Sequence, residues 1–183
     1  LGRREFWGRT FSINKNVLDP RADTETLIDY VIEKPVRSVL ELGTGSGVIA
    51  VTLACEWREV NVTATDISED ALVLAEINAA KFNVENKIQF VKSDWFNNVE
   101  GMYDLIISNP PYIGWIEQEK ISTEVAKYDP KIALFAGYDG FDAYKSIIPK
   151  LTKFLNPDGF VVLEIGASQS KQVKNILNSS GFF

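Results

Sequence analysis

Short apolar runs alternate with longer helical patterns along most of the chain. The runs are rich in β-branched side chains, which is typical of buried strands. The predicted strands are Ser38–Leu42, Asn61–Thr65, Lys87–Val91, Tyr103–Ile107 and Phe160–Ile165. Helical patterns lie over Gly47–Trp57, Ser68–Phe82, Phe141–Leu155 and Gln169–Asn178. Because crossovers between parallel strands are right-handed, this order predicts an α/β fold with a doubly wound, mostly parallel sheet and helices on both faces.

A separate segment precedes the first predicted strand. It contains a helix from about Thr24, in which Leu27, Ile28, Val31 and Ile32 form one apolar stripe. We interpret residues 1–35 as an N-terminal flank or lid and residues 36–183 as the main domain. The chain closes on Gly181-Phe182-Phe183, which resembles the start of a strand, so we expect the last strands of the sheet to be missing.

The composition excludes several kinds of chemistry. The chain has 183 residues, a formal net charge of −6, one cysteine and no histidine. An internal disulfide, a zinc site of the usual ligands and histidine catalysis are therefore excluded. The acidic balance argues against nucleic acid as a partner, and no apolar run is long enough for a membrane span. We expect a cytoplasmic protein without a metal or a membrane.

The strongest local motif is the glycine-rich segment that directly follows the first predicted strand. It reads Glu41-Leu42-Gly43-Thr44-Gly45-Ser46-Gly47. Glycines permit a tight turn and let backbone N–H groups approach a ligand closely. The spacing G-x-G-x-G differs by one residue from the dinucleotide-binding G-x-G-x-x-G, and a plain tight turn is the alternative interpretation.

Acidic residues also end the next two predicted strands. Asp66 lies 19 residues beyond Gly47 and is placed to accept hydrogen bonds from both ribose hydroxyls of an adenosine, or else to cap the helix that follows. Trp95 is placed to lie against an adenine ring while Asp94 accepts from its amino group. In isolation, a turn acid and a core aromatic explain that pair better.

The most informative motif is Ser108-Asn109-Pro110-Pro111-Tyr112, after the fourth predicted strand. Two consecutive prolines fix the backbone and remove two N–H donors, so the turn is stiff and rich in acceptors. Asn109 adds a side-chain carbonyl, and a planar NH2 group fits between such acceptors with Tyr112 over its face. All of these motifs follow strands, at the sheet edge where open α/β sheets bind ligands.

These segments resemble the class I S-adenosylmethionine-dependent methyltransferases, whose fold is Rossmann-like. The Asn-Pro-Pro-Tyr motif is similar to that of enzymes that methylate a planar nitrogen. The nearest resemblance is to the bacterial release factor glutamine methyltransferases, the PrmC/HemK family. It rests on Glu5-Phe6-Trp7-Gly8, Pro20-Arg21-Ala22-Asp23-Thr24-Glu25, Leu40–Gly47, Ser93-Asp94-Trp95-Phe96 and Ser108–Ile113. Ala22 and Asp19 depart from the family pattern.

The resemblance implies a role for each motif. Glu41 and the loop residues Gly43, Thr44, Gly45, Ser46 and Gly47 would bind the methionine part of S-adenosylmethionine, Asp66 the ribose, and Asp94 and Trp95 the adenine. Asn109, Pro110, Pro111 and Tyr112 would hold the glutamine of a Gly-Gly-Gln tripeptide in a peptide-chain release factor, with Asn109, Pro110 and Tyr112 catalytic and Asn109 also near the cofactor. S-adenosylhomocysteine would be the product.

Two alternatives to this function remain open. The first is an adenine-N6 methyltransferase acting on RNA or DNA with the base flipped against Tyr112. The second is an S-adenosylmethionine-binding fragment without turnover. We also expect self-association, because the last predicted strand, Phe160–Ile165, leaves an open sheet edge.

Overall fold

The computed structural model describes residues 2–120 and 129–182. Its strands are β1 Arg3–Phe6, β2 Arg9–Ser12, β3 Ser38–Leu42, β4 Asn61–Asp66, β5 Ile88–Lys92, β6 Tyr103–Ser108 and β7 Leu155–Leu163. Its α-helices are α1 Glu25–Val31, α2 Val48–Glu56, α3 Glu69–Lys81, α4 Lys131–Leu134, α5 Asp142–Ile147 and α6 Ser170–Ser179. Single-turn or two-turn 3₁₀ helices cover Ala22–Thr24, Glu85–Lys87, Trp115–Lys120 and Ile148–Lys153.

Five of the strands form one parallel sheet in the order β5-β4-β3-β6-β7. The order reverses beside β3, where the chain leaves one half of the sheet for the other. Each half is built from strand-helix-strand crossovers, as the alternation of patterns predicts. The predicted α/β fold is therefore confirmed.

Side chains alternate between two hydrophobic cores, one on each face of the sheet. On β3, Val39 belongs to the core formed with α1, α2 and α3, whereas Leu40 belongs to the core formed with α5 and α6. On β6, Leu105 and Ile107 face the first core and Ile106 the second. All five residues are fully buried, which explains why these strands read as continuous apolar runs.

Two predicted elements differ from the observed ones by more than two residues at one end. The predicted helix Phe141–Leu155 is α-helical only as far as Ile147 and continues as a 3₁₀ helix, because Pro149 has no N–H to donate. The predicted strand Phe160–Ile165 begins earlier, at Leu155, and ends at Leu163. Its pairing with β6 shifts register between Tyr103 and Leu105, where the turn-forming sequence around Pro157 and Gly159 bulges out.

The β1–β2 hairpin was missed by the sequence patterns. Its two-residue turn consists of Trp7 and Gly8, with φ angles of 49° and 68°. Positive φ at both positions matches a type I′ hairpin turn, for which Asn-Gly is the usual sequence signal. Tryptophan is an unusual residue there, and it is held in place because its backbone N–H donates to Oε1 of Glu25 at 2.7 Å.

In the described ranges, none of the helices combines the length and apolar character that crossing a bilayer requires.

Candidate functional site

The predicted motifs meet at the carboxyl edge of the parallel sheet. Leu42 at the end of β3 is in register with Thr65 of β4 on one side and Ser108 of β6 on the other, so the loops after these strands emerge together. They surround a cavity of about 340 Å³, which we call the glycine-loop cavity. Its lining includes the predicted residues Glu41, Gly43, Thr44, Gly45, Ser46, Asp66, Asp94, Trp95, Asn109 and Pro111.

Backbone hydrogen bonds to β4 hold the glycine-rich loop in its open conformation. The backbone N–H groups of Gly43 and Thr44 both donate to the carbonyl oxygen of Thr65, at 2.9 and 2.8 Å. Gly47 has φ 80° and is the N-cap residue directly before α2. A Cβ on Gly47 would lie 2.9 Å from Cβ of Ala75. Gly47 is therefore needed for close packing on α3, whereas a Cβ on Gly43 or Gly45 would meet only open space.

Glu41 has a buried carboxyl group that anchors the glycine-rich loop through hydrogen bonds. One of its oxygens, Oε2, accepts from the hydroxyl of Thr44 at 2.7 Å and from the backbone N–H of Ala50 at 3.0 Å. Burial raises the pKa of Glu41 to about 8, although these two hydrogen bonds act in the opposite direction. Glu41 thus shapes the loop around the cavity as well as lining it.

Asp66 links the glycine-rich loop to the start of α3 through hydrogen bonds. Its Oδ1 accepts from the backbone N–H of Ser68, which is the N-cap of α3, and its Oδ2 accepts from the N–H of Gly45, both at 2.9 Å. Burial raises the pKa of the Asp66 carboxyl, and these hydrogen bonds oppose that shift. Each carboxylate oxygen keeps a further lone pair for a ligand in the cavity.

Asp94 and Trp95 also line the glycine-loop cavity. Trp95 has φ 50°, a left-handed conformation that is rare for a bulky side chain. Its carbonyl oxygen accepts from the hydroxyl of Ser93 at 2.8 Å, and the same hydroxyl accepts from the N–H of Asn98 at 3.0 Å. This turn leaves the Asp94 side chain exposed and the indole half-buried against the second core.

A second cavity, of about 570 Å³, adjoins the first, and we call it the proline-turn cavity. Asn109, Pro110 and Tyr112 line it, and Asn109 lines the glycine-loop cavity as well. The Asn109 NH2 group donates to the hydroxyl of buried Thr24 at 3.0 Å, so its Oδ1 is directed away from that partner. No residue in the described ranges donates to the backbone carbonyl of Asn109 or Pro110.

Gln169 also holds the proline turn, Asn109-Pro110-Pro111-Tyr112, in place. The sequence patterns did not single out this residue. Its Nε2 donates to the carbonyl oxygens of Tyr112 at 2.8 Å and Gly140 at 3.2 Å, and its Oε1 accepts from the N–H of Gly166 at 3.0 Å. Gln169 is buried, so these are strong constraints on where Tyr112 lies.

Thr24 and Glu164 are the other site residues that were not singled out individually. Thr24 lines the glycine-loop cavity, to which the N-terminal segment also contributes Val17, Leu18 and Pro20. Glu164 lines the proline-turn cavity directly after β7. The signal that identified Asp66, an acidic residue after a strand, did not identify Glu164, because the predicted strand Phe160–Ile165 contains it and only the structure ends β7 at Leu163.

Comparisons with known proteins show which family this chain belongs to. A family model described as "Methyltransferase small domain" matches residues 11–128. A "Bifunctional methyltransferase" from Rickettsia prowazekii is 42% identical over 100% of this chain and 40% of its own length. A "Release factor glutamine methyltransferase" from Cereibacter sphaeroides is 43% identical over 99% of this chain and 65% of its own length.

Solved structures share the fold. The crystal structure of a ribosomal protein L11 methylase from Lactobacillus delbrueckii subsp. bulgaricus superposes with a TM-score of 0.63 and 27% identity, covering 87% of this chain and 69% of that one. The chain spans about two fifths of the Rickettsia relative's length and about two thirds of the Cereibacter relative's.

Proposed function

Because this chain belongs to the methyltransferase small domain family, we propose that it transfers a methyl group from S-adenosylmethionine to the side-chain amide nitrogen of a glutamine. We further propose that this glutamine is the one in the Gly-Gly-Gln tripeptide of peptide-chain release factors. The observation that carries the proposal is the position of Asn109, which borders both cavities at their junction. An amide group that is held at Asn109 in the proline-turn cavity can reach a methyl donor that is bound in the glycine-loop cavity.

The glycine-loop cavity fits the proposed cofactor. Its volume is within the range of small-molecule sites, and the backbone of Gly43 and Gly45 borders open space that side chains would fill. In this proposal the glycine loop binds the methionine part, Asp66 accepts hydrogen bonds from the ribose hydroxyls, and Asp94 and Trp95 border the adenine. S-adenosylmethionine supplies a methyl group that its sulfonium already activates, and S-adenosylhomocysteine is left.

The proline turn fits the second substrate. An amide NH2 group has two donors in one plane, and Oδ1 of Asn109 and the carbonyl of Pro110 are acceptors that no described residue satisfies. Accepting both hydrogens shifts electron density back onto the nitrogen, which is otherwise a poor nucleophile. Pro111 keeps the turn rigid, and Tyr112, whose carbonyl Gln169 holds, covers the face of the amide.

The chain's own contribution to the rate is chiefly positioning. Holding two reactants in line is worth up to about 7–11 kcal/mol. No strong base is needed before the methyl group moves, because the nitrogen becomes acidic only as the new N–C bond forms and its proton then passes to water. A chain without histidine can therefore carry out this reaction. The relatives named for release factor glutamine methylation, at 43% identity for one of them, support glutamine over other planar nitrogens.

A labelled-methyl transfer assay tests the proposal. The chain is incubated with methyl-labelled S-adenosylmethionine and either a full-length release factor, the same factor with its Gly-Gly-Gln glutamine replaced by alanine, or a bare oligonucleotide. We expect label only on the unmodified factor. Label on the oligonucleotide would support adenine-N6 methylation instead. Calorimetric binding of the donor without transfer to either acceptor would support the non-catalytic alternative.

A further inference from the structure

Glu164 is fixed in the proline-turn cavity by its own backbone. Its N–H donates to the carbonyl oxygen of Ser108 at 3.0 Å, and its carbonyl oxygen accepts from the hydroxyl of Tyr144 at 2.9 Å. Tyr144 is fully buried, so this second anchor is rigid. The Glu164 side chain therefore has a defined position beside Asn109 and Tyr112.

The carboxyl group of Glu164 is incompletely satisfied. Its Oε2 is inaccessible to solvent and has no hydrogen-bond partner among the described residues. Burial raises the pKa of this carboxyl, and the charge of nearby Asp23 adds to the effect, while a hydrogen bond from the Thr24 side chain opposes it. Buried acceptors without partners are costly and rare, so this oxygen calls for a donor from outside the chain.

The neighbouring cation does not supply that donor. Arg21 lines the same cavity, but its guanidinium donates to Oδ2 of Asp129 at 2.5 Å. Asp129 is nearly buried, which holds the guanidinium in that ion pair. Because Glu164 lines the proline-turn cavity, a ligand there can supply the missing donor once the carboxyl group turns towards the cavity.

We propose that Oε2 of Glu164 accepts a hydrogen bond from a main-chain N–H of the substrate peptide, next to the target glutamine. This inference rests on the proposed function. A glutamine amide held at Asn109 brings its own main chain into the same cavity, and glycine neighbours leave the main-chain N–H groups unshielded. Glu164 would then bind substrate without touching the methyl donor.

Substrate variants test this contact on the unaltered protein. Gly-Gly-Gln peptides compete with the full-length factor for methylation, and each main-chain N–H is replaced in turn by an ester oxygen. We expect one ester to weaken competition about tenfold, the loss typical of a hydrogen bond to a charged group. That ester should cause a smaller loss on Glu164→Gln, because a neutral amide oxygen accepts a hydrogen bond more weakly than a carboxylate. Equal losses on both proteins would overturn the proposal.

Glu164→Gln tests the residue directly. We expect the KM for the full-length factor to rise about tenfold, with kcat changed less than threefold and the dissociation constant of the donor unchanged. Glu119→Gln is the matched control, because Glu119 is exposed on the 3₁₀ helix Trp115–Lys120 that borders the cavity. It should change none of these values.

Unfolding separates a binding role from a structural one. Because Glu164→Gln removes a buried charge that lacks a partner, its midpoint in urea should be at or above that of the unaltered chain. A large fall in the midpoint, or a fall in kcat at unchanged KM, would contradict the proposal. If the unaltered chain does not methylate the factor at all, it is the proposed function that fails.

Discussion

Asn109 uses its two amide ends for different purposes. Its NH2 group is held by Thr24, and its Oδ1 is left for a ligand at the junction of the two cavities. An alanine at position 109 would keep the backbone turn, since prolines at 110 and 111 define it. It would remove the side-chain acceptor and the hydrogen bond to Thr24 but not the turn, which separates the chemistry of this residue from the shape of the turn.

Asn109→Ala should therefore abolish methyl transfer, with a loss of at least about a hundredfold in kcat, because the reacting nitrogen is no longer oriented. The affinity for S-adenosylmethionine should stay nearly unchanged. Single-turnover assays and calorimetry measure the two quantities separately. Asn175→Ala, at an exposed position of α6, is the control and should retain activity. A parallel fall in donor affinity and turnover would show that the assigned role is wrong.

Glu41 makes stability depend on pH. Its pKa is about 8 in the folded protein and 4.5 as its ordinary value, so between these values the folded chain keeps a proton that the unfolded chain has lost. The contribution of this group to stability is therefore complete below pH 4.5 and falls as the pH rises towards 8. The slope approaches about 1.4 kcal/mol per pH unit.

Glu41→Gln should remove this slope, since the amide oxygen can still accept from Thr44 and Ala50 but does not titrate. Urea unfolding at pH 5 and pH 8 gives the free energy of unfolding of both proteins. The free energy of unfolding of the variant, relative to that of the unaltered chain, should increase as the pH rises. Glu85→Gln, at an exposed position, should follow the unaltered chain at both values. A difference between Glu41→Gln and the unaltered chain that is the same at both pH values would refute the prediction.

At the scale of elements, the turn after β6 depends on a residue far away in sequence. Gln169 precedes α6 and ties Tyr112, Gly140 and Gly166 together with all of its side-chain hydrogen-bonding atoms. Gln169→Leu would leave two carbonyls and one N–H without their partner. The free energy of unfolding should fall by about 2 kcal/mol or more, because buried polar groups would be left unpaired.

Urea unfolding measures this change, and Gln172→Leu provides a matched control. Gln172 lies three residues later on an exposed face of α6, so its loss should change stability by less than about 0.5 kcal/mol. The Gln169 variant should also raise the KM for the release factor, since Tyr112 is no longer held. Equal stability of the two variants would mean that Gln169 does not fasten the turn.

Elements whose signals are local were predictable from the sequence. The strands from Ser38 to Ser108 follow from apolar runs, and the structure confirms them. The β1–β2 hairpin was not predictable, because its turn uses Trp7 where the usual signal is asparagine. The break of α5 at Ile147 was predictable from Pro149 but was missed.

The residues of the candidate site also fall into those with a local sequence signal and those without one. The glycine loop, Asp66 and the proline turn follow strands, so their convergence could be predicted from parallel pairing alone. Gln169 and Thr24 could not be found in this way, because their roles arise from tertiary hydrogen bonds to residues 57 and 85 positions away. The use of Glu41 to fasten the loop likewise depends on a contact with α2 that only the fold reveals.

At the scale of the whole molecule, β3 and β6 together place two cavities side by side. The loops after β3, β4 and β5 line the glycine-loop cavity together with part of the connection from β6 to β7, whereas the proline-turn cavity lies at the ends of β6 and β7. Asn109 stands where the two halves of the sheet meet. The N-terminal segment contributes Leu18 to both cavities, so a single covering element contacts both proposed ligands.

The sheet also has an edge that the described residues leave unpaired. β7 pairs with β6 on one side, and no described strand pairs with its other side. Most of its residues, including Phe160, Val161 and Val162, are only half-buried. A long apolar edge strand is a template for pairing with another chain, so we predict concentration-dependent self-association of this 183-residue chain. Sedimentation velocity over a hundredfold range of concentration measures it: the sedimentation coefficient should rise with concentration, and a constant monomer value would show that this edge is protected.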